Sequence, residues 1–365
     1  MAQRRKKNNL QLDDAWYTEK GKNEDIVLST RLTLCRNLAN FPFPQYENEK
    51  QTERVLSIIY DVFNHLEDAE KYKLANVDDL DPLGKKILEE RGIFQQDEGP
   101  KIGLVIRNDG KLSCQINSKD HIRISSYKTG LNLDTPYKAV KEMDEAMQKK
   151  LQFAGSWDFG YLTSSIDEVG SGLRIYSTFF LPGLSLSDKI WPYYSTCKKN
   201  GCLISGAFGN GNRCCALGNF YIITNQNCLN GNEEEQISSF NSFAKEVIKT
   251  EKEIRKEAFV NKYSIVKDMI YRSFALVKYS LFIQVREAVE IISALKIGLS
   301  LNLLQGIDDN KLNALLYRIQ DGHLEYVLKN GKFDFPSDIE ENMQKKIERL
   351  RCILLQEAVE NVSLT

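Results

Sequence analysis

Five of the eight cysteines lie within one short segment of the chain. Cys197 and Cys202 are followed by the adjacent pair Cys214 and Cys215 and then by Cys228. Thiolates bind zinc when they converge on a tetrahedron, and structural sites usually use cysteine pairs a few residues apart. Adjacent cysteines on a strand point to opposite faces, which disfavours one shared ion. The pattern therefore favours small buried thiols, and a zinc-stabilised scaffold stays an alternative.

Four other motifs combine arginine, glycine and amide side chains. Arg31, Arg123 and Arg174 each lie in one of the first three motifs, whereas glycine and asparagine dominate the fourth. In chain order the motifs are 28–38 with 41–42; 117–123; 159–163 with 169–174 and 181–184; and 209–211 with 217–219 and 224–226. Any one of them alone is a weak signal, but four in order make coincidence improbable.

The first two thirds of the chain mix helical and extended patterns. Apolar residues three and four apart predict a helix over 48–72, and the chain before about residue 95 is predicted to be helical. Asn108-Asp109-Gly110 predicts a hairpin turn, because such residues tolerate positive φ. The remaining predicted elements are helix 81–91; strands 101–107, 111–116 and 121–127; helix 135–153; and strands 159–163, 173–181 and 219–224. This mixture without β-α-β alternation predicts an α+β domain with a mainly antiparallel sheet.

The last third of the chain is predicted to be helical. The predicted helices are 233–256, 260–281, 284–297, 310–327 and 337–359. We therefore predict a basic flexible tail over 1–22, an α+β domain over 23–235 and an all-α C-terminal domain over 236–365. Apolar side chains on the C-terminal helices indicate either core packing or dimerisation.

Composition excludes several classes of function. The formal net charge is -1, so the chain has no global field to hold nucleic acid or an acidic membrane. No segment approaches the length of an apolar membrane span, and no apolar run follows the basic start. These features predict a cytoplasmic protein with reduced thiols.

The four motifs resemble those of the ATP:guanidino phosphotransferases, the phosphagen kinase family, and most of all the bacterial protein-arginine kinases. The resemblance covers residues 25–230. The C-terminal helices, with the motif 320–324, resemble the extra domain of the bacterial enzymes. The resemblance implies a guanidino-kinase catalytic domain, with a mainly antiparallel sheet flanked by helices, followed by the all-α domain. It also implies phosphoryl transfer from ATP to a guanidinium, with Mg²⁺ sharing the phosphate charge.

The resemblance also implies a set of nucleotide-binding residues. Arg31, Arg123 and Arg174 match the phosphate-binding arginines of the family, and Ser29 precedes the first of them. Arg91 is expected to add a basic contact near the nucleotide. Guanidinium forks match phosphate oxygens, which is why several arginines serve this purpose. The alternative for each arginine is a surface salt bridge.

The residues that the family uses for chemistry are replaced. The second motif of the family carries a glutamate that grips the guanidinium, and Lys119 stands there, preceded by Ser118. The second catalytic glutamate is replaced by Asn210, or by Asn212 if the loop is aligned differently. Ser165 replaces the cysteine that contacts the substrate. Lysine repels a cationic substrate, and asparagine cannot accept its proton.

Two of the phosphate-binding arginines of the family are also replaced, by Thr33 and Ser205. Among nearby acids, Asp120 is expected to be structural, whereas Asp167 and Glu168 precede Val169 on a loop that could approach a guanidinium. Two functions follow. The first is a pseudokinase that binds nucleotide or a protein partner, and the alternative is an active phosphotransferase with displaced acids.

The C-terminal domain of protein-arginine kinases also recognises phosphoarginine through an Arg-Asp-x-x-Arg-Ala motif. Here the matching residues are 347–352, and Arg351 is the arginine that is retained. The resemblance thus implies a phosphoarginine contact by Arg351, with an amphipathic helix that exposes Arg349 and Arg351 as the alternative. It also implies a homodimer or pairing with an active kinase, and arginine-containing protein clients or a zinc-finger adaptor as partners.

Overall fold

The computed structural model describes residues 16–95, 101–208 and 216–365. Its largest feature is an eight-stranded sheet in the order β2-β3-β4-β5-β1-β8-β10-β9, in which every neighbouring pair is antiparallel. The strands of this sheet are β1 (Val27–Arg36), β2 (Tyr72–Asn76), β3 (Gly103–Arg107), β4 (Leu112–Ile116), β5 (Ile122–Thr129), β8 (Leu173–Phe180), β9 (Cys202–Gly206) and β10 (Phe220–Asn225). A short hairpin is formed by β6 (Gly155–Ser156) and β7 (Gly160–Tyr161).

Helices pack against the sheet and continue beyond it. They are α1 (Glu49–Asn64), α2 (Pro82–Glu90), α3 (Asp134–Gln148), α4 (Pro182–Leu186), α5 (Ile190–Lys199), α6 (Glu233–Asn261), α7 (Tyr263–Tyr279), α8 (Val285–Ser300), α9 (Asp309–Arg318), α10 (Asp321–Asn330) and α11 (Met343–Ala358). A two-residue pair, β11 (Leu304–Gln305) and β12 (Ser363–Leu364), joins the ends of the C-terminal part. The predicted α+β class, with helices after the sheet, is confirmed. No helix of the described residues is both long and apolar enough to cross a bilayer.

Alternation along the central strands separates the core from the polar face of the sheet. Leu32 and Leu34 of β1 point into a core that also contains Ile124 of β5 and Ile175 of β8. Helices α1, α3 and α6 cover this core with their apolar sides. Residues of the opposite parity, including Arg31, therefore lie on the other face of the sheet.

Two helices begin at asparagine caps that sequence patterns favour. The Asn48 side chain accepts a hydrogen bond from the Gln51 backbone amide, and the Asn48 backbone amide donates to Gln51 Oε1 in return. Asn232 forms the same reciprocal pair with Glu235 at the start of α6. Each of these reciprocal pairs, known as a capping box, satisfies amide groups that the first helical turn leaves unpaired.

The expectation that the chain before residue 95 is helical is wrong at β1 and β2. Helix α1 ends at Asn64, not near residue 72, and Tyr72 begins a strand that pairs with β3. Pairing with β3 and contact between Tyr72 and Phe63, whose ring centroids are 5.5 Å apart, override the local helical pattern. Strand β9 and helix α5 were not predicted. The single helix expected over 310–327 is divided into α9 and α10.

The C-terminal helices form a second core, and α6 connects it to the first. Phe240 and Phe243 of α6 belong to the core beneath the sheet, whereas Phe259 near its end belongs to the second core. Helix α6 crosses the predicted boundary between residues 235 and 236 without a break, and that boundary stays a prediction. Residues 1–15 of the expected tail lie outside the described residues, but Trp16 and Tyr17 are buried.

Candidate functional site

Three of the predicted arginines lie on one face of three adjacent strands. In the register of the sheet, Arg123 of β5 is the partner of Cys35 on β1. Arg174 of β8 is the partner of Thr33, two residues along β1 from Arg31. Alternate residues of β1 share a face, so the register brings Arg31, Arg123 and Arg174 to the same polar surface. This gathering is the geometry that a phosphate site requires.

Arg123 is already paired with two carboxylates. Its Nη1 lies 2.9 Å from Asp120 Oδ2 and 2.9 Å from Glu168 Oε2, and its Nη2 lies 3.2 Å from Glu168 Oε1. Burial works to raise the pKa of Glu168, but the charge and hydrogen bonds of Arg123 outweigh burial, and the pKa is lowered. Glu168 is therefore an anion held in a two-pronged ion pair.

Arg31 and Arg174 are less completely paired. Arg31 Nη1 donates to the carbonyl oxygen of Gly92 at 3.0 Å, and its guanidinium lies 4.1 Å from the centroid of the Tyr176 ring. Arg174 Nη1 donates to the Gln226 carbonyl at 3.3 Å, and its Nε lies 3.9 Å from Glu168. That Nε is buried without a hydrogen-bond partner among the described residues. Both arginines thus retain capacity for an anionic ligand.

A cavity of about 310 Å³ opens beside Arg31. Ser29, Arg31 and Arg91 line it together with an aromatic wall. The wall consists of Trp16, Tyr127, Tyr176, Phe208 and Tyr317. Aromatic faces and arginine together suit a ligand with a planar ring and an anionic group.

Two buried donors in this cavity lack partners within the described part of the chain. They are Trp16 Nε1 and Arg91 Nη2. Ser29 Oγ, in contrast, donates to Thr178 Oγ1 at 3.3 Å. Unpaired buried donors are uncommon, and because both atoms are buried, a ligand would reach them only after neighbouring side chains move. Tyr317 belongs to α9, so the C-terminal part of the chain supplies one wall of the cavity.

The space between Arg31 and Arg123 is much smaller. It measures about 20 Å³, and Thr33, Ser125 and Tyr176 also line it. Such a volume holds about one water molecule. A phosphate group would need the surrounding side chains to move before it could reach Arg123.

Of the positions where the family carries reactive groups, Lys119, Ser118 and Ser165 lie within the described residues. Lys119 is exposed, and its charge contributes to the lowered pKa of Glu168. Ser118 is buried, with an Oγ that has no partner among the described residues. Ser165 accepts a 2.8 Å hydrogen bond from Thr163 through its carbonyl oxygen. The glycine-rich loop with Asn210 and Asn212 lies outside the described residues, and Ser205 lies on β9.

Asp120 has the structural role that its position predicted. It is fully buried, and it accepts hydrogen bonds from the Asn37 side chain and the Ser164 amide, both at 2.8 Å, besides its pair with Arg123. Asp167 is exposed, whereas its neighbour Glu168 points inward to the arginines. Of the two acids on this loop, only Glu168 enters the site.

Cysteines do not gather as a zinc site would require in the described part of the chain. Cys197, Cys202 and Cys228 are buried, and burial raises the pKa of Cys197 and Cys202 to about 12. Cys214 and Cys215 lie outside the described residues, so the zinc-stabilised scaffold stays an alternative. Elsewhere, Cys35, Asp120 and Glu168 bring ligand atoms within 4.8 Å of one another. The guanidinium of Arg123, bonded to both acids, opposes a cation there.

Arg351 is buried in the C-terminal domain. Its Nε donates to the Ile319 carbonyl at 2.7 Å, its Nη1 donates to the Ile283 carbonyl at 2.9 Å, and its Nη2 pairs with Asp321. The alternative in which Arg351 is exposed to solvent is therefore wrong. The phosphoarginine contact stays a prediction, and it would require an exchange of these internal bonds.

Comparisons with known proteins identify the family. The family model described as ATP:guanido phosphotransferase, C-terminal catalytic domain, matches residues 54–254. A second model, the protein-arginine kinase McsB C-terminal domain, matches residues 263–363. The chain therefore belongs to the ATP:guanido phosphotransferase family, on the branch that has a protein-arginine kinase C-terminal domain.

Its relatives include named protein-arginine kinases. The protein-arginine kinase of Bacillus cereus is 31% identical over 314 residues, which cover 85% of this chain and 88% of that protein. The protein-arginine kinase of Pelotomaculum thermopropionicum is 30% identical over 311 residues, which cover 84% and 87%. Both alignments include most of the α+β and the helical parts.

Solved structures share the fold at lower identity. The duplicated taurocyamine kinase of Schistosoma mansoni aligns with a TM-score of 0.57 and 19% identity over 64% of this chain and 34% of that chain. Lombricine kinase aligns with a TM-score of 0.56 and 19% identity over 64% and 68%. The chain thus spans about a third of the duplicated kinase, and these likenesses concern the fold alone.

Sequence reasoning missed two parts of the site. The first is the ion pair between Glu168 and Arg123, although the acids of that loop were noted as neighbours of the motif. The second is the aromatic wall, since Trp16 fell in the expected tail, beside Tyr17, and Tyr317 in a distant helix. The signal that could have found the wall is the aromatic pair Trp16-Tyr17, which is unusual in a solvated tail.

Proposed function

We propose that this chain is a pseudokinase of the protein-arginine kinase type, which binds nucleotide and regulates a protein partner without transferring phosphate. The observation that carries the proposal is the occupation of Arg123 by Glu168 through two hydrogen bonds. An arginine expected to clamp phosphate is thereby neutralised from within the chain. Lys119, which replaces a substrate-gripping glutamate, adds repulsion toward a guanidinium.

Glu168, the buried carboxylate that could replace the lost glutamates, is a poor general base. Both oxygens of Glu168 accept hydrogen bonds from Arg123, and its pKa is lowered by that arginine against the opposing effect of burial. A base is most effective when its pKa lies near the working pH. Glu168 therefore does not replace the lost carboxylates while it remains in this ion pair.

Magnesium has a weak fit at the same place. Asp120 and Glu168 are the buried carboxylates beside the arginines, and both are bonded to Arg123. Oxygen ligands suit Mg²⁺, but a guanidinium bonded to both carboxylates opposes a second cation. We therefore assign the nucleotide-binding role to Ser29, Arg31 and Arg91 around the larger cavity, and we route no chemical step through Mg²⁺.

Regulation of a partner is supported by an exposed apolar surface on the C-terminal helices. Its members share large exposed side chains at the end of α6, on α7 and just after it. They are Val260, Tyr263, Ile265, Leu276, Tyr279 and Leu281. Large exposed apolar side chains concentrated in one short stretch of the chain are a feature of interaction surfaces. We assign this surface to a homodimer, or to pairing with an active kinase in the cytoplasm, and arginine-containing proteins remain the candidate clients.

The test is phosphoryl transfer from labelled ATP with Mg²⁺, to free arginine and to an unfolded arginine-rich protein, with acid-labile product as the readout. We expect no transfer from the folded protein, together with measurable ATP binding. Clear transfer that is abolished by Arg123→Ala would overturn the pseudokinase proposal in favour of an active phosphotransferase with displaced acids.

A second measurement separates nucleotide binding from a scaffold that binds only proteins. Arg31→Ala removes a guanidinium that faces the larger cavity and has one hydrogen-bonded carbonyl as its polar contact. The loss of a charge-assisted phosphate contact is expected to weaken ATP binding by about tenfold or more. Lys150→Ala, which changes an exposed cation outside the cavity lining, serves as the control. Equal ATP affinity in all three proteins would refute the nucleotide site.

A further inference from the structure

We infer that Glu168 takes the place of a ligand phosphate group at Arg123, and so makes this site prefer ligands with a short phosphate chain. The inference rests on the proposed nucleotide-binding function and specifies its ligand class, in which nucleoside mono- and diphosphates are preferred over triphosphates. Glu168 is then a residue that determines specificity.

The geometry around Glu168 is that of a bound anion. Its two oxygens face two nitrogens of Arg123 at 2.9 and 3.2 Å, which is the planar arrangement in which arginine also holds phosphate. Arg174 approaches the same carboxylate at 3.9 Å. Lys119 lies near enough for its charge to lower the pKa of Glu168. The Glu168 carboxylate thus interacts with three cations that would otherwise be available to a phosphate group.

The backbone holds Glu168 in this position. It ends a short 3-10 turn, Ile166–Glu168, and its amide donates to the Ser165 carbonyl at 2.9 Å. Two residues further on, Gly170 has a φ of 117°, and a Cβ there would come within 2.2 Å of the Cys228 carbonyl oxygen. Only glycine fits that approach. The turn is therefore fixed between the arginine face and the segment at Cys228.

The site has one end with an empty cavity, which we call the open end, and one end with almost no free space, which we call the filled end. At the open end, Arg31 and Arg91 line the cavity of about 310 Å³. At the filled end, about 20 Å³ remains between Arg31 and Arg123. A ligand in the open cavity can therefore place one or two phosphate groups against Arg31. A further phosphate would have to displace the Glu168 carboxylate or lie beside it, where the like charges repel.

The experiment measures ligand affinity of the full chain by titration calorimetry without added divalent cation. The ligands are ATP, ADP and inorganic tripolyphosphate, and the proteins are the wild type, Glu168→Gln and the control Asp167→Asn. We expect the wild type to bind ADP at least as tightly as ATP. Glu168→Gln is expected to tighten ATP and tripolyphosphate by about tenfold or more, and ADP by less. Asp167→Asn removes an exposed charge on the same turn, and should change each affinity by about twofold at most.

The outcomes separate this inference from the function on which it rests. If ATP and ADP bind but Glu168→Gln tightens neither ATP nor tripolyphosphate, the inference is overturned and nucleotide binding stands. If no protein binds a nucleotide while Glu168→Gln gains tripolyphosphate, Glu168 does occupy a phosphate position at Arg123, but the nucleotide ligand class fails together with the nucleotide-binding function. Absence of all binding refutes both. Glu168→Ala is measured in parallel, with thermal unfolding of each variant, so that the result does not depend on one substitution folding.

Discussion

Replacement of Arg351 by methionine tests whether this retained arginine is structural. Its guanidinium joins α11 to the carbonyls of Ile319 and Ile283 and to the Asp321 side chain. Methionine preserves much of the apolar stem, so the substitution removes the charge and the donors but leaves little cavity. Arg349→Met is the matched control, since that neighbour makes one exposed 3.3 Å bond to the Leu281 carbonyl.

The expected loss follows from these contacts. Hydrogen bonds from a charged group contribute about 1.5 to 3 kcal/mol each, and two buried carbonyls would lose them. Asp321 is 30% exposed at its side chain, so water can replace most of its ion pair. Burying the guanidinium also costs free energy, since burial is the main reason that the pKa of Arg351 is lowered. Methionine avoids that cost, which offsets part of the loss from the missing hydrogen bonds. We expect a decrease of about 3 kcal/mol in the free energy of unfolding, against at most about 0.5 kcal/mol for Arg349→Met.

Urea denaturation followed by circular dichroism measures both variants. Equal stability of Arg351→Met and Arg349→Met would refute the structural role. A phosphoarginine peptide provides the second arm of the assay. If the peptide raises the unfolding temperature of the wild type and Arg351→Met abolishes that rise, the internal bonds of Arg351 exchange for the ligand, as the family resemblance implies. No rise in the wild type would leave Arg351 with its internal partners alone.

Three other predictions concern buried charge and thiols. Arg36→Met should cost about 3 to 5 kcal/mol in urea denaturation, because Asp144, 2.9 Å away, loses its partner; a cost below about 1 kcal/mol would contradict this. Burial lowers the pKa of His323 to about 4, so stability is lost as pH falls from about 6.5 to 4; His323→Asn should flatten that slope by up to about 1.4 kcal/mol per pH unit, and exposed His65→Asn should not. Cys202, with a pKa raised to about 12 by burial, should resist alkylation at pH 8 until the protein unfolds, and rapid native labelling would refute its burial.

Local sequence patterns correctly predicted elements that carry a regular apolar spacing or a characteristic turn. Helix α1 was predicted because its apolar residues recur three and four apart, and the β3-β4 hairpin because its turn contains Asn108 and Gly110. Strand β1 was not predicted, since both of its partner strands, β5 and β8, lie far away in the sequence and its own sequence mixes apolar residues with Ser29, Thr30 and Arg31. Whether such a segment forms a strand depends on pairing with distant strands, and a short stretch of sequence carries no information about that pairing.

Only the site residues that belong to the family motifs were predicted. Arg31, Arg123 and Arg174 were expected together because of family resemblance, and the register of β5, β1 and β8 places them on one face. The pairing of Arg123 with Glu168 joins residues 45 positions apart. It depends on how one turn packs against a strand, and sequence spacing alone carries no such information.

Tyr317 gives the aromatic wall of the cavity a consequence beyond ligand contact. Its ring lies 4.7 Å from that of Tyr17 and 5.2 Å from that of Trp16, so α9 and the start of the chain meet at the ligand cavity. A molecule that contacts both the helical part and the sheet binds the docked arrangement more tightly, and so stabilises it. By thermodynamic reciprocity, a protein whose binding to the helical part such a molecule strengthens raises the affinity for that molecule by the same factor.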